Sequence, residues 1–212
     1  MIYGYARVST DGQTLNAQRE QLKDAGADVR EISVPSLSLA LAAYYIICPA
    51  EISSNLSRHD GQRYGYSNAD ATNLDESYAK SRGIGFGREA KRRIMIGTYV
   101  LSSGYYDAYY RKAQLVRTKL INEFAKAFEE VDYMIGPASP TPAFKIGEKG
   151  DDPMQAYLAD IMTVAVSLAG VPAIVLPAGM TPENLPVSLQ LIAPQRKDRD
   201  LFGIAAGAEA IL

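Results

Sequence analysis

The sequence has few of the side chains on which metal sites and disulfide frameworks depend. Of its 212 residues, one is a cysteine, one is a histidine and none is a tryptophan. With Cys48 alone, an internal disulfide and a cysteine-cluster metal site are excluded within this sequence, as is typical of proteins from the reducing cytoplasm. With His59 alone, a zinc site built from several histidines is excluded too. We therefore expect no metal and no other cofactor.

The charge is nearly balanced, and the most apolar early segment is short for a membrane span. The 22 basic and 24 acidic residues give a formal net charge of -2, so no field of the whole chain attracts nucleic acid or an anionic membrane. The apolar segment of residues 37–50 contains Ser38 and Pro49 and falls below the roughly 20 residues of a spanning helix. The first residues also lack the pattern of a secretory signal. We interpret the segment as a buried helix of a soluble, cytoplasmic protein.

The order of periodic segments predicts an α/β protein with mostly buried strands. Residues 2–8 predict a strand, residues 14–25 a helix and residues 28–34 a second strand, which makes a βαβ-like beginning. A helical pattern covers residues 106–130, and strand patterns return in the last third of the sequence. The expected buried face of that helix consists of Leu115, Thr118, Ile121, Ala125 and Phe128.

The segment "YGYARVSTDGQTLNAQREQLKDAGA" near the N-terminus carries a specific motif. It resembles the beginning of a serine recombinase of the resolvase and invertase family, and it covers about residues 1–27. The resemblance implies that Ser9 attacks a DNA phosphate and that Arg7 stabilises charge there. The later sequence shows neither further arginines in this pattern nor a helix-turn-helix. We therefore expect residues 9–12 to form a turn before a helix, without DNA as a partner.

Several long stretches after about residue 28 carry a second resemblance. They include "GFGREAKRRIMIGTYVLSSGYYDAYYRKAQLVRT", "VDYMIGPASPTPAFKIGEK", "SLAGVPAIVLPAG" and "LPVSLQLIA". These stretches resemble the C-terminal part of the amidase signature family, and within it the A subunits of glutamine-dependent aminoacyl-tRNA amidotransferases. The resemblance implies a partial fold in residues 28–212, with a mixed β-sheet covered by helices. The chain then resembles a fusion of two families, joined between about residues 15 and 29.

The second resemblance also implies a function. Such A subunits release ammonia from glutamine and pass it to the partner B and C subunits, which amidate glutamate or aspartate on a mischarged tRNA. Catalysis in the family uses two serines and a lysine from an N-terminal half that these stretches do not match. We therefore expect a truncated subunit that is inactive alone, in which Ser53, Ser54 and residues 102–103 serve packing and helix capping. Two alternatives stay open: a non-catalytic module that docks on the partner subunits, and a recombinase fragment.

One acidic residue predicts a binding site. Asp160 is the only charged residue between Asp152 and Glu183, in an apolar segment, so it requires a cationic partner or a polar cavity. Arg93 is the candidate partner, because small residues follow it at helical spacing. A free amino acid needs a guanidinium and an acid close together. The resemblance implies that Arg93 and Asp160 bind glutamine, with Tyr44 nearby; the alternative is an ion pair without a ligand.

Overall fold

A computed structural model describes residues 2–6, 20, 23, 24, 26–148 and 157–210. The chain divides into two compact units, one of residues 1–41 and 116–212 and the other of residues 42–115. The described chain combines helices with one sheet, which confirms the predicted α/β class. Arg7 and Ser9, the residues of the recombinase interpretation, lie outside the described residues.

The first unit contains a five-stranded mixed sheet. Its strands are β1 (Ile2–Ala6), β2 (Asp28–Ile32), β3 (Tyr133–Pro137), β4 (Ala173–Met180) and β5 (Pro186–Ile192). Their order across the sheet is β2-β1-β3-β5-β4. Strand β1 is parallel to β2 and to β3, whereas β5 is antiparallel to β3 and to β4. The parallel pair β1–β2 agrees with the predicted βαβ-like beginning, and the described residues between the two strands include helical Glu20, Lys23 and Asp24.

Six α-helices are described. They are α1 (Leu37–Leu56), α2 (Leu74–Gly85), α3 (Arg88–Leu101), α4 (Arg111–Ala127), α5 (Val164–Ala169) and α6 (Asp198–Glu209). A π-helical turn, Tyr106–Tyr110, precedes α4, and a 3₁₀ turn, Ala159–Met162, comes before α5. Helices α1 and α4 each begin in one unit and end in the other.

Helical segments cover both faces of the sheet in the first unit. Side chains alternate between the two faces of a strand, and in β5 Leu189 and Leu191 point to the side of α6, where they share a core with Leu201. Gln190 points to the opposite side, where its Nε2 donates a hydrogen bond to the carbonyl oxygen of Met162 at 3.1 Å. The sheet is therefore the middle layer of three, as the predicted fold class requires.

Strand β4 corrects one sequence-based prediction. Its apolar sequence predicts a buried strand, yet only Leu176 of its eight residues is buried, while Val175 is 51% and Met180 62% exposed. Among the described strands β4 pairs with β5 alone, because it lies at the edge of the sheet. The interior strands β3 and β5 are buried over most of their length. The prediction of buried strands therefore holds in the middle of the sheet and is wrong at this edge.

Helix α4 corrects a second prediction. Its buried residues are Ala113, Leu120, Phe124 and Ala127. The predicted face is wrong, because Leu115 is 64% exposed and Ile121 is also exposed. Both sets of residues have helical spacing, so periodicity alone could not choose between the two faces.

A single carboxylate joins α4 to the beginning of α1 within the first unit. Ser36 directly precedes α1, and its backbone N–H and its hydroxyl donate to the two carboxylate oxygens of Glu123, both at 2.8 Å. Ser36 is 2% exposed, so these groups have little access to water. An acceptor with negative charge is favourable at a helix N-terminus. Glu123 therefore caps α1 from another helix.

The second unit is helical, and all of its residues are described. Helix α2 begins after Asn73, whose Oδ1 accepts a hydrogen bond from the backbone N–H of Glu76 at 2.9 Å. The carboxylate of Glu76 accepts hydrogen bonds from the backbone and hydroxyl of Thr72 and pairs with Lys80 at 2.6 Å. The bond from Lys80 is the largest of the causes that lower the pKa of Glu76 to about 2.

Helices α1 and α3 approach each other closely in the second unit. A Cβ atom on Gly97 would lie 2.0 Å from the carbonyl oxygen of Pro49, a buried residue inside α1. Next to this point, the hydroxyls of Ser53 and Thr98 share a hydrogen bond of 2.9 Å. Only glycine permits such an approach. The close approach of the two helices fixes the position of Arg93, one helical turn before Gly97, against α1.

Helix α1 is long and apolar enough to cross a membrane by length and composition. It has 20 residues, and an 18-residue window with a mean hydropathy of 1.4 is 28% buried. Ala40, Ala43, Ile47 and Ala50 are buried at steps of three and four residues, which is typical of a helix packed on protein along one side. The interpretation as a buried helix therefore describes one side of α1 and not its whole circumference.

Candidate substrate-binding site

The three predicted site residues are divided between the two units. Tyr44 in α1 and Arg93 in α3 belong to the second unit, whereas Asp160 lies in the 3₁₀ turn of the first. The structure brings Tyr44 and Arg93 into hydrogen-bond contact. The pairing of Arg93 with Asp160 stays a prediction.

The guanidinium of Arg93 is held by several neighbours. Its Nε donates a hydrogen bond to Oε1 of Glu89 at 2.9 Å, and its Nη1 lies 3.9 Å from Sγ of Cys48. Its Cζ lies 5.6 Å from the ring centroid of Tyr45, a distance at which the cation is attracted to the ring face. The side chain is 21% exposed. Arg93 therefore combines a defined orientation with access to solvent.

These contacts determine the protonation of the site. Burial disfavours the charged form of Arg93, but hydrogen bonds with Glu89 and Tyr44 raise the pKa of the guanidinium above its usual value. Burial, followed by the contact with Cys48, raises the pKa of Tyr44, and Arg93 opposes this rise. At neutral pH the site therefore contains a charged arginine and a protonated phenol. Both can donate hydrogen bonds to a carboxylate.

A groove of about 440 Å³ lies between α1 and α3 beside Arg93. Its lining residues are Cys48, Glu51, Ile52, Asn55, Leu56, Glu89, Ala90 and Arg93. Pockets for small ligands have volumes of roughly 300 to 1,000 Å³, so a free amino acid fits this groove. In the ranges that the structure describes, no group of three or more His, Cys, Asp or Glu side chains is placed to hold a metal ion.

Asp160 is less buried than its apolar surroundings in the sequence indicate. It is partly exposed and lies in the 3₁₀ turn. Its carbonyl oxygen accepts hydrogen bonds from the N–H and the hydroxyl of Thr163 at 3.0 and 3.2 Å. The sequence predicts one helix from about residue 153 to residue 169, whereas among the described residues a 3₁₀ turn ends at Met162 and α5 begins at Val164. Asp160 therefore does not lie on α5, of which every residue except Ser167 is buried.

The serines of the second unit have structural contacts. The hydroxyl of Ser53 is bonded to Thr98, and the carbonyl of Ser54 accepts a hydrogen bond from the hydroxyl of Ser57 at 2.6 Å. Ser102 donates to the carbonyl oxygen of Tyr99 at 2.7 Å, at the end of α3. None of these described hydroxyls is bonded to a lysine. The contacts of Ser53 and Ser102 are those of packing and helix-capping residues, and the roles of Ser54 and Ser103 stay predictions.

Three residues around Arg93 were missed by the sequence analysis. Glu89 lies four residues before Arg93 in "REAKRR", an i,i+4 spacing that predicts an ion pair on a helix. For Tyr45 and Cys48 the sequence contains no comparable signal, because their contacts depend on how α1 and α3 pack.

Comparisons with known proteins place the chain next to one family. The family described as Amidase matches residues 7–202. The A subunit of the glutamyl-tRNA(Gln) amidotransferase of Azotobacter vinelandii is 54% identical over 186 residues, which is 88% of this chain and 38% of that protein. The protein of the same name from Streptomyces avermitilis is 54% identical over 192 residues, 89% of this chain and 38% of that protein.

A solved structure agrees with the sequence relatives. The crystal structure of the A subunit of the glutamyl-tRNA(Gln) amidotransferase from Thermotoga maritima superposes with a TM-score of 0.67 at 34% identity, over 97% of this chain and 41% of that one. The allophanate hydrolase of Kluyveromyces lactis, 16% identical, superposes over 100% of this chain and 32% of that one with a TM-score of 0.73 and shows the same fold.

The matches cover unequal shares of the two proteins in each pair. The chain spans about 38% of the length of these curated relatives. At its beginning, the family match reaches back to residue 7. It therefore includes most of the segment that resembles a recombinase, and the recombinase resemblance stays a prediction.

Proposed function

The chain belongs to the amidase family, and from this premise we propose that it is the glutamine-binding part of the A subunit in an aminoacyl-tRNA amidotransferase. The whole subunit releases ammonia from glutamine, and the partner B and C subunits use it to amidate glutamate or aspartate on a mischarged tRNA in the cytoplasm. The identity of 54% to curated A subunits supports this function.

The observation that carries the proposal is the oriented guanidinium of Arg93 beside the groove. Arg93 keeps its charge, and its planar fork matches the α-carboxylate of an amino acid. The Tyr44 hydroxyl adds a donor next to it. For the ammonium group of glutamine, Asp160 is the sequence-based candidate. The groove has room for the side-chain amide.

The chain binds glutamine in this proposal without hydrolysing it. Amide hydrolysis requires an activated nucleophile, and an unassisted serine hydroxyl is a weak one. The hydroxyls of Ser53, Ser57 and Ser102 are bonded to hydroxyl or carbonyl oxygens. Purified chain should therefore release no ammonia from glutamine above the background rate. Turnover that disappears in Ser54→Ala or Ser103→Ala would contradict this part of the proposal.

The single thiol provides a direct binding test. Cys48 lines the groove, and as the only cysteine it is the only site at which N-ethylmaleimide alkylates a thiol. We expect L-glutamine to slow alkylation of Cys48, as followed by mass spectrometry, and D-glutamine to have little effect. Arg93→Lys should abolish the protection, because lysine lacks the bidentate fork.

Matched variants separate binding from other effects. Arg92→Lys makes the same change next to Arg93, at a residue that does not line the groove, and it should keep the protection. Asp160→Asn tests the ammonium contact by itself and should also weaken protection. If L-glutamine gives no protection to the wild-type chain, the glutamine site is refuted and the docking-module alternative is favoured.

A further inference from the structure

We propose that Glu89 is a positioning residue for Arg93, which directs the Nη end of the guanidinium towards the ligand carboxylate. This inference rests on the proposed function, because it assigns a role in the same site. Glu89 also lines the groove, but its two carboxylate oxygens are already bonded to Arg92 and Arg93. It acts through its hydrogen bond to Arg93 Nε.

The hydrogen bond to Nε limits how a ligand can bind. A guanidinium offers a carboxylate two edges, one with Nε and one Nη atom, and one with both Nη atoms. Oε1 of Glu89 accepts a hydrogen bond from Nε at 2.9 Å, so the first edge is already occupied by Glu89. A ligand carboxylate must then use the edge with both Nη atoms. Nη1 lies 3.9 Å from Sγ of Cys48, and Cys48 and Arg93 both line the groove, so we place this edge on the groove side.

The ring of Tyr45 lies next to the guanidinium and restricts its movement. Arg93 Cζ lies 5.6 Å from the centroid of that ring, and the ring of Tyr44 stands perpendicular to it with centroids 5.1 Å apart. A long arginine side chain loses rotamer entropy when a ligand immobilises it. Glu89 and Tyr45 together remove much of that freedom before a ligand arrives. They therefore increase affinity without a new ligand contact.

The local sequence favours this arrangement. Glu89 is the second residue of α3, where a negative charge is stabilised by the helix N-terminus. A glutamate four residues before a basic residue is the favourable order of such a pair. The other oxygen of Glu89, Oε2, accepts a hydrogen bond from Nη1 of Arg92 at 2.5 Å. Arg92 and Arg93 thus share one carboxylate, and of these two arginines Arg93 alone lines the groove.

The first test measures Arg93 itself, without glutamine. Phenylglyoxal modifies arginine side chains, and removal of an adjacent carboxylate makes a guanidinium easier to deprotonate and to attack. We expect Glu89→Ala to accelerate modification of Arg93 several-fold, as quantified on the peptide by mass spectrometry. Arg92→Gln, which removes the other arginine from Glu89, should leave the rate at Arg93 near that of the wild type. An unchanged rate in Glu89→Ala would overturn the proposal.

The second test measures ligand affinity by calorimetry with the 212-residue chain. Glu89→Ala should weaken L-glutamine binding about tenfold, the effect of one lost charge-assisted contact. It should not weaken binding of 4-aminobutanamide, which is glutamine without its α-carboxylate. Equal loss for both compounds would indicate a general structural role and overturn the proposal. Failure of the wild type to bind glutamine refutes the proposed function, and the phenylglyoxal rates still decide the role of Glu89.

Discussion

A methyl group on Gly97 would lie 2.0 Å from the carbonyl oxygen of Pro49, well inside the contact distance of the two atoms. We predict that Gly97→Ala destabilises the second unit by at least about 2 kcal/mol, since backbone must move to relieve the overlap. Urea denaturation, with amide hydrogen exchange of residues 42–115, measures the effect. Gly83→Ala in α2 is the matched control: its Cβ meets no atom within 4 Å, so it should stabilise by about 0.5 to 1 kcal/mol. Equal effects of the two variants would contradict the close approach.

Glu123 provides a second prediction, on the first unit. Glu123→Ala leaves the backbone N–H and hydroxyl of Ser36 without their carboxylate acceptor, and Ser36 is 2% exposed. We expect a loss of about 2 kcal/mol in the free energy of unfolding. Lys119 forms an ion pair with Glu123, with 3.9 Å between Nζ and Oε1, and its side chain is 62% exposed. Lys119→Ala should therefore cost less than about 0.5 kcal/mol, because exposed ion pairs contribute little. If Lys119→Ala costs as much as Glu123→Ala, the helix cap is not the source of the stability.

Glu76 provides a prediction on pH. Its pKa is lowered from 4.5 to about 2, with the hydrogen bond from Lys80 as the largest cause. A lowered pKa in the folded state means that the contribution of Glu76 to stability is complete above the unfolded-state value and is lost as the pH falls towards 2. Carbonyl ¹³C NMR titration should show the low pKa in the wild type and a higher one in Lys80→Met. Asp75→Asn should leave the titration of Glu76 unchanged, and a Glu76 pKa near 4.5 in the wild type would contradict the prediction.

The edge strand β4 provides a prediction on self-association. Val175 is 51% exposed on a strand with one described neighbour, and such edges pair with other chains. We expect the chain to self-associate in sedimentation velocity experiments, and Val175→Lys to reduce the association. Phe202→Lys on α6 removes an apolar side chain that is 67% exposed and does not belong to the edge strand, and it should have less effect. A larger effect of Phe202→Lys would show that the edge is not the contact.

The sequence predicts those parts of the fold that local patterns encode. Strands β1 and β2 begin at residues 2 and 28, as predicted, because runs of β-branched and aromatic residues next to turn residues mark such strands. The buried side of α4 and the exposed position of β4 depend on neighbours that are distant in sequence. Periodicity identifies an amphipathic element, but it does not identify the partner that covers it.

The candidate site shows the same division. Tyr44 and Arg93 share a hydrogen bond, and their role in binding glutamine with Asp160 stays a prediction. The Glu89–Arg93 pair has a spacing that a helix brings together. The contacts of Arg93 with Cys48 and Tyr45 cross from α3 to α1. They depend on the close approach at Gly97, for which a single glycine in a helical pattern is a weak signal.

The position of β1 has a consequence for the order in which the sheet folds. Among the described strands, β2 is hydrogen-bonded to β1 alone. Strand β1 joins it to the rest of the sheet, with Tyr3 of β1 paired with Tyr133 of β3. The pairing of β1 with β2 is local and can form early, whereas closing a loop of about 130 residues is slow because of its entropy cost. We therefore expect the edge of β1 that pairs with β3 to stay open during synthesis until β3 has left the ribosome. Chaperones that shield strand edges would act on the chain in that interval.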